Sequence, residues 1–418
     1  MLKQIEGSRA VAEAVAMSRP DVICAYPITP QTHIVEALGA MVKKGELNAE
    51  FLNVESEFAA MSVAIGASAT GARAYTATAS QGLLYMSEAV YNAAGLGLPI
   101  VMTIANRAIG APINIWNDHS DSMSQRDAGW LQLFAETSQE ALDLHIQAFR
   151  IAEELSIPVM VCMDGFLLTH ASERADIPSQ EQVDAFLPSY QPRQVLDPAE
   201  PVSIGAMVGP EAFTEVRYLA FERMQQALEL IPAVAADFAA AFGRPSGGLV
   251  RSYQTDDADV IVVAMGSVLG TVKDAVDELR AEGMRVGVLG ITTYRPFPAD
   301  AIRVALGVEP RHVVVLERAL APGTGGIVTA DIRHALAGRM APHLSTVIAG
   351  LGGRAITKRS LRDLLDRAAA GELEPLSFLD LDTGLADREL ARMRATRRSG
   401  PSPENMLRDL GISASRIG

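Results

Sequence analysis

Four polar clusters in the first part of the chain have the residue types of a ligand site: Thr29, the acids Glu55 and Glu57, the run Thr78 to Gly82, and Asn106 to Asp121. Glu57 opens an otherwise apolar segment, Phe58-Ala59-Ala60-Met61. An acid at such a helix start either offsets the helix dipole, worth well under ~1 kcal/mol when exposed, or is partly buried and bonds a ligand nitrogen. Arg107 follows the apolar run Ile100 to Ile104 and has no acidic residue within ten positions on either side. A guanidinium without a local acid suits fork-like recognition of a carboxylate or phosphate; the alternative is a surface arginine paired with a distant acid. Asp118-His119-Ser120-Asp121 contains metal-ligating types, but Asp and Ser at a helix start read as an N-cap cluster. Thr76, Thr78, Ser80 and Gln81 before Gly82 form a hydroxyl-rich exit, ordinary turn chemistry when taken alone. Cys24 reads as a small core residue.

These clusters need a scaffold that brings them together. The pattern predicts helices over Ser8–Ser18, Gln31–Lys44, Glu57–Ala69, Gln81–Ala94 and Gln139–Leu155. Between them lie strands at Val22–Ala25, Phe51–Val54, Ala72–Ala77, Pro99–Ile104 and Pro158–Met163, with a long polar loop to Asp127. Such alternation means a mostly parallel sheet covered on both faces, with sites at the strand C-terminal ends. From Glu173 the texture becomes a proline-rich connector, then a helical block from Glu211 to Phe242. A second α/β unit follows, with strands expected at Val260–Met265, Arg285–Ile291 and His312–Glu317. The tail beyond Arg354 reads as charged, first helical, then polar and peripheral. The domain boundaries expected are 1–175, 176–256, 257–360 and 361–418.

Composition limits the classes of function. The chain has 418 residues, 49 % hydrophobic, with a net charge of −14, which speaks against nucleic-acid and anionic-membrane surfaces. Two isolated cysteines, Cys24 and Cys162, supply neither a disulfide scaffold nor an iron–sulfur or zinc site. No metal is assigned to this chain, and a reducing, cytoplasmic setting without signal peptide is expected. P-loop, dinucleotide, H-E-x-x-H and G-x-S-x-G motifs are absent from the sequence. The residues alone therefore lead to a two-domain α/β ligand-binding protein.

A set of ordered motifs extends this reading. Ala25-Tyr-Pro-Ile-Thr-Pro30, Ser56-Glu-Phe-Ala-Ala-Met-Ser62 and Tyr75-Thr-Ala-Thr-Ala-Ser-Gln-Gly82 resemble the alpha subunit of thiamine-diphosphate-dependent 2-oxoacid:acceptor oxidoreductases of the pyruvate:ferredoxin type. So do Asn106-Arg-Ala, Asn117-Asp-His-Ser-Asp121, Arg126-Asp-Ala-Gly-Trp130 and Tyr294-Arg-Pro-Phe-Pro298. The resemblance covers about residues 10 to 360. It implies a pyrimidine-type thiamine-diphosphate-binding domain and a transketolase C-terminal-like α/β domain. It gives Glu57 the role of bonding the cofactor's pyrimidine ring, which assists deprotonation of the thiazolium C2. Thr29, Arg107 and Gly110 match substrate-binding positions, with Thr29 and Arg107 on the 2-oxoacid carboxylate. Pro30, Ser80 and Gln81 fall at cofactor-binding positions, supported by the loop residues Asn106, Asp118 and His119.

The resemblance also implies what other chains must supply. No G-D-G motif followed by Asn is present, so a beta subunit is expected to bring the diphosphate and Mg site. Gamma and ferredoxin-like iron–sulfur subunits are expected to pass electrons to ferredoxin, or to NAD through a partner, with coenzyme A as co-substrate. Two departures bear on the substrate. Gly110 stands where pyruvate-type relatives usually carry a hydroxyl residue, and Ile291-Thr-Thr-Tyr294 lacks the usual basic residue before the tyrosine. They lead to the expectation of a 2-oxoacid bulkier than pyruvate, such as phenylglyoxylate. The alternatives are pyruvate itself, a transketolase-like enzyme, and a non-catalytic regulatory or assembly subunit.

Overall fold

The structure, a computed structural model, describes residues 1–307, 310–338, 343–396 and 403–412. In the first half the strands are β1 (Leu2–Glu6), β2 (Val22–Ala25), β3 (Glu50–Asn53), β4 (Ala74–Thr78), β5 (Val101–Asn106), β6 (Leu131–Phe134), β7 (Val159–Asp164) and β8 (Ser172–Asp176). In the second half they are β9 (Val250–Tyr253), β10 (Val260–Ala264), β11 (Val286–Ile291), β12 (Thr293–Arg295), β13 (His312–Glu317), β14 (His343–Ile348) and β15 (Leu376–Phe378).

Two large sheets result. The first has the order β12-β6-β7-β5-β4-β2-β3 and is parallel except at β12. The second has the order β15-β14-β13-β10-β11-β9 and is parallel except at β9. β1 and β8 form a separate antiparallel pair. Strands β4, β5 and β7 are buried along their whole length, which is why β5 and β7 read as near-continuous apolar runs rather than alternating ones. Parallel register places their C-terminal residues side by side: Asn106 of β5 is the direct partner of Asp164 of β7.

Helices cover both faces of the first sheet. On one side α1 (Gly7–Met17), α2 (Thr32–Lys43) and α7 (Ser138–Leu155) bury Val11, Val15, Ile34, Leu38 and Phe149. On the other, α3 (Glu57–Ala69), α4 (Ser80–Tyr85) and α5 (Ser87–Leu96) bury Met61, Leu83 and Val90. That second cluster runs without a break into Ile261, Val263, Leu289 and Val313 of the second sheet. The two α/β units therefore share one core.

The structure departs from the sequence reading at several places. The expected loop to Asp127 contains α6 (Ser120–Ser124), and β6 follows it. Gln132 at the centre of β6 is fully buried, so the strand lacks the apolar run that would have announced it. The expected helix from Gln81 to Ala94 is divided at Met86. The start of the expected connector holds β8 and a short helix, α8 (Gln180–Phe186). The charged segment beyond Arg354 is helical at first, as expected, but packs on the second sheet, while residues 397–402 of the polar stretch expected to be peripheral lie outside the described residues. On that sheet Lys358–Ala369 buries Leu361, Leu364 and Leu365, and Leu376–Phe378 adds the edge strand β15.

Candidate active site

The C-terminal ends of β2, β3, β4, β5 and β7 deliver the polar clusters to one edge of the first sheet. After β3, Ser56 caps α3 by accepting a hydrogen bond from Ala59 N at 3.2 Å, which fixes Glu57 as the first helical residue. Glu57 is only 8 % exposed. Its carboxyl group lies against Gly82, where a Cβ atom would come within 2.7 Å of Glu57 Oε1 and 2.6 Å of Thr78 Oγ1. Residue 82 is therefore glycine because α4 must pass directly over the acid. Thr78 Oγ1 is buried without a hydrogen-bond partner, and the Glu57 carboxyl group has none among the described residues. Leaving such a hydroxyl buried and unpaired costs about 1–3 kcal/mol, and the Glu57 carboxyl group beside it is open to a donor from a ligand.

The second part of the site is the loop after β5. Arg107 is 6 % exposed, and its guanidinium is held only by carbonyls: Nη1 donates to Thr29 O at 3.0 Å and Nε to Asn114 O at 3.1 Å. It forms no ion pair among the described residues. Burial lowers its pKa, against the opposing charge of Asp121. An uncompensated guanidinium with fork capacity left over is matched to a small carboxylate. Thr29 is exposed at its rim, and Pro30 is buried against the backbone of β5 and Gly165.

Asp121 organises the loop. Its Oδ2 accepts from the backbone N–H groups of Ser80 and Arg107, both at 2.9 Å. Its Oδ1 accepts from Asn106 Nδ2 and Ser122 N, both at 2.8 Å. Burial pushes the Asp121 carboxyl group up to about 7, while these four donors favour its ionised form. Ser80 adopts the left-handed backbone conformation (φ 49°), which a non-glycine residue tolerates only where its surroundings fix it. Its hydroxyl reaches the Ala108 carbonyl and the Gln81 amide oxygen. Gln81 Nε2 in turn occupies the place of a side chain at Gly110, 2.6 Å from where a Cβ would stand. The end of the Gln81 side chain therefore takes up part of the space that a side chain at residue 110 would use.

Asp118 and His119 lie one step further out. Asp118 Oδ1 accepts from Ser120 N at 3.0 Å, and its Oδ2 from Gly352 N at 3.0 Å. His119 Nε2 faces Asp164 Oδ1 at 2.9 Å, and its backbone N–H donates to Arg318 O at 2.8 Å. Each carboxylate of the Asp118–Asp121 run is turned to its own donors, so the run caps and braces as its cap-like spacing implied.

Residues 13–236 match the family described as "Pyruvate flavodoxin/ferredoxin oxidoreductase, thiamine diP-bdg", and residues 258–361 match "Pyruvate:ferredoxin oxidoreductase core domain II". The chain belongs to this oxidoreductase family. Among its relatives, "Pyruvate synthase subunit PorA" of Methanosarcina barkeri is 48 % identical over 388 residues, covering 90 % of this chain and 96 % of the relative. "Ketoisovalerate oxidoreductase subunit VorA" of Pyrococcus horikoshii is 39 % identical over 366 residues, covering 87 % and 93 %. The fold is similar to that of a 2-oxoglutarate:ferredoxin oxidoreductase from Magnetococcus marinus (TM-score 0.67, 18 % identity), covering 88 % of this chain and 65 % of that one. It is also similar to a split-gene transketolase (TM-score 0.53, 14 % identity), covering 89 % and 100 %. The expected fold class thus holds: a thiamine-diphosphate-binding parallel-sheet domain joined to a transketolase-like α/β domain. The chain is an alpha subunit of a thiamine-diphosphate-dependent 2-oxoacid:ferredoxin oxidoreductase. The buried, partnerless Glu57 beneath Gly82 fits the family's cofactor.

Three residues matter more than the sequence reading allowed. Asp164 and Arg318 were not singled out, and Asp121 entered only as part of a cap cluster. Asp164 ends the apolar run of β7 just as Asn106 ends β5, so the strand-end rule that selected the other clusters applies to it as well. Arg318 has no such signal, because its partner lies 154 residues away in another sheet.

Proposed function

We propose that this chain is the alpha subunit of a pyruvate:ferredoxin oxidoreductase, acting in the CoA-dependent oxidative decarboxylation of pyruvate to acetyl-CoA and CO2. The observation that carries the reading is the buried Arg107 guanidinium, bonded among the described residues only to the carbonyls of Thr29 and Asn114, on the same sheet edge as Glu57. Thiamine diphosphate, when bound, supplies the acidic carbon that attacks the 2-oxo group. Glu57 bonds a ring nitrogen of the cofactor at a largely buried position, where such a bond is stronger than on a surface. Arg107 and Thr29 take the substrate carboxylate and fix the keto carbon's approach. Pro30, Ser80 and Gln81 shape the cofactor wall, and Gly110 with Gln81 bounds the substrate side.

The relatives named for pyruvate are 45–48 % identical, and those named for ketoisovalerate 39 %. Together with the Gln81 amide that takes up part of the space beside Gly110, this supports pyruvate over the bulkier, phenylglyoxylate-like substrate expected from the sequence. Both cysteines are buried free thiols, so the iron–sulfur relay falls to partner chains, as do the diphosphate and Mg site. The partners are a beta subunit and gamma and ferredoxin-like subunits, with ferredoxin as the acceptor. The setting is reducing and cytoplasmic. Among the described residues no helix is long and apolar enough to cross a membrane.

The test is a steady-state assay of the whole complex, purified anaerobically, with pyruvate, 2-oxoisovalerate, 2-oxoglutarate and phenylglyoxylate. We expect kcat/KM for pyruvate to lead by about tenfold or more, the discrimination that one or two methylenes allow. A lead for phenylglyoxylate would overturn the substrate assignment, and no turnover with any 2-oxoacid would favour an assembly subunit.

A further inference from the structure

Beside the face that carries Thr29, three ligand-bearing side chains from distant parts of the chain converge. Glu6 ends β1, His33 lies in the first turn of α2, and His170 follows β7. One ligand atom from each lies within 4.8 Å of the other two. We propose that Glu6, His33 and His170 form a zinc site, the chain's own metal centre, although the sequence led to no metal.

The geometry is close to that of a bound set. His33 Nδ1 is 2.7 Å from Glu6 Oε1, and the His33 and His170 rings face each other with centroids 4.4 Å apart. Two donor atoms on one tetrahedral zinc stand about 3.3 Å apart, given bonds of about 2.0–2.1 Å. Small rotations of the half-exposed Glu6 and His33 side chains therefore complete the set.

The supporting residues agree. Thr169 Oγ1 accepts from Phe166 N at 2.8 Å and engages His170 Nδ1 at 2.7 Å, which leaves His170 Nε2 as the free ring nitrogen. A ligating histidine held through its other nitrogen is the usual arrangement around a metal. Phe166 lies 4.8 Å from the His170 ring and 4.7 Å from Trp116, forming an aromatic wall on one side. Two imidazoles and one carboxylate select zinc over Mg or Ca, which take oxygen ligands, and leave a fourth position for water.

Such an ion would tie the end of β1, the start of α2 and the exit of β7 together. It would thereby anchor the Tyr26–Pro30 loop, which runs straight into α2. The proposal is independent of the substrate reading.

The test is titration of the full chain, stripped by a chelator, with Zn2+ against a competing chromophoric chelator, and with Co2+ followed by visible absorption. We expect one equivalent bound, with affinity reduced at least tenfold in His33→Ala and in His170→Ala, and a Co2+ spectrum that those substitutions abolish. Glu6→Gln and His33→Ala alter half-exposed positions, so circular dichroism should match the parent chain. No stoichiometric binding would overturn the proposal. So would one equivalent held with unchanged affinity in His33→Ala and Glu6→Gln.

Discussion

Asp164 and Arg318 leave strands of two different sheets and meet at 2.6 Å, with both groups buried. Asp164 Oδ2 also accepts from Ser267 N at 2.8 Å, and its Oδ1 faces His119. Burial alone would raise the Asp164 pKa, but the Arg318 and His119 charges hold it well below the usual carboxylate range. The same junction reaches the loop after β5. Arg318 O accepts from His119 N, and the Gly352 backbone bonds both Asp118 and Asn114. The second α/β unit thus fixes the loop on which Arg107 stands.

Asp164→Asn should therefore destabilise the chain by about 3–5 kcal/mol, the cost of leaving a buried arginine without its acid. Urea unfolding of the two forms checks this. Because the Asp164 pKa is depressed on folding, its contribution is present above the unfolded value of about 3.9 and is lost as pH falls through the lower folded value. The wild type should show that acid limb and Asp164→Asn should not.

Asp121 has the opposite sign. Its folded pKa is raised to about 7, so between about pH 4 and 7 the native state holds a proton that the unfolded state has released. Its contribution to stability falls as pH rises through that window. Asp121→Asn should flatten this part of the stability profile. It should also raise KM for the 2-oxoacid, since an amide cannot accept at both of the positions where four N–H groups now converge.

Arg107→Ala should lower kcat/KM of the complex by about 2–4 kcal/mol of transition-state binding, mainly through KM. Arg107→Lys should recover little of it, because an ammonium cannot reproduce the planar fork. Steady-state kinetics of the three forms decide, and equal kcat/KM values would make the residue structural.

Gly82→Ala should separate the site from the fold. The added methyl would meet Glu57 Oε1 at 2.7 Å and force the acid aside, at about 1–3 kcal/mol of overpacking. We expect a smaller rise in melting temperature on adding thiamine diphosphate to the complex than in the parent. An unchanged rise would mean that Glu57 does not face the cofactor.

Much of this was legible in the sequence, and the exceptions have physical causes. Strands such as Val101–Asn106 are buried on both faces, so they announce themselves as apolar runs, and the ends of β4 and β5 locate Thr78 and Arg107, while Glu57 is marked by the apolar helix that it opens after the exposed edge strand β3. β6 was hidden by the buried polar Gln132, whose amide Nε2 donates to Ser122 O at 2.8 Å. The brace between Asp164 and Arg318 was invisible because sequence spacing says nothing about pairing across two sheets. The occupant of the space beside Gly110 is not legible in the sequence because Gln81, whose amide reaches it, belongs to another element.

The proposed role of Glu57, bonding and activating the cofactor, is tested by Glu57→Gln in the assembled complex. Turnover of pyruvate should fall by about 10²–10⁴-fold, the range for losing a positioned acid or base. The iron–sulfur absorption and the subunit composition should match the parent complex. Full activity in Glu57→Gln, with thiamine diphosphate bound as before, would contradict the account.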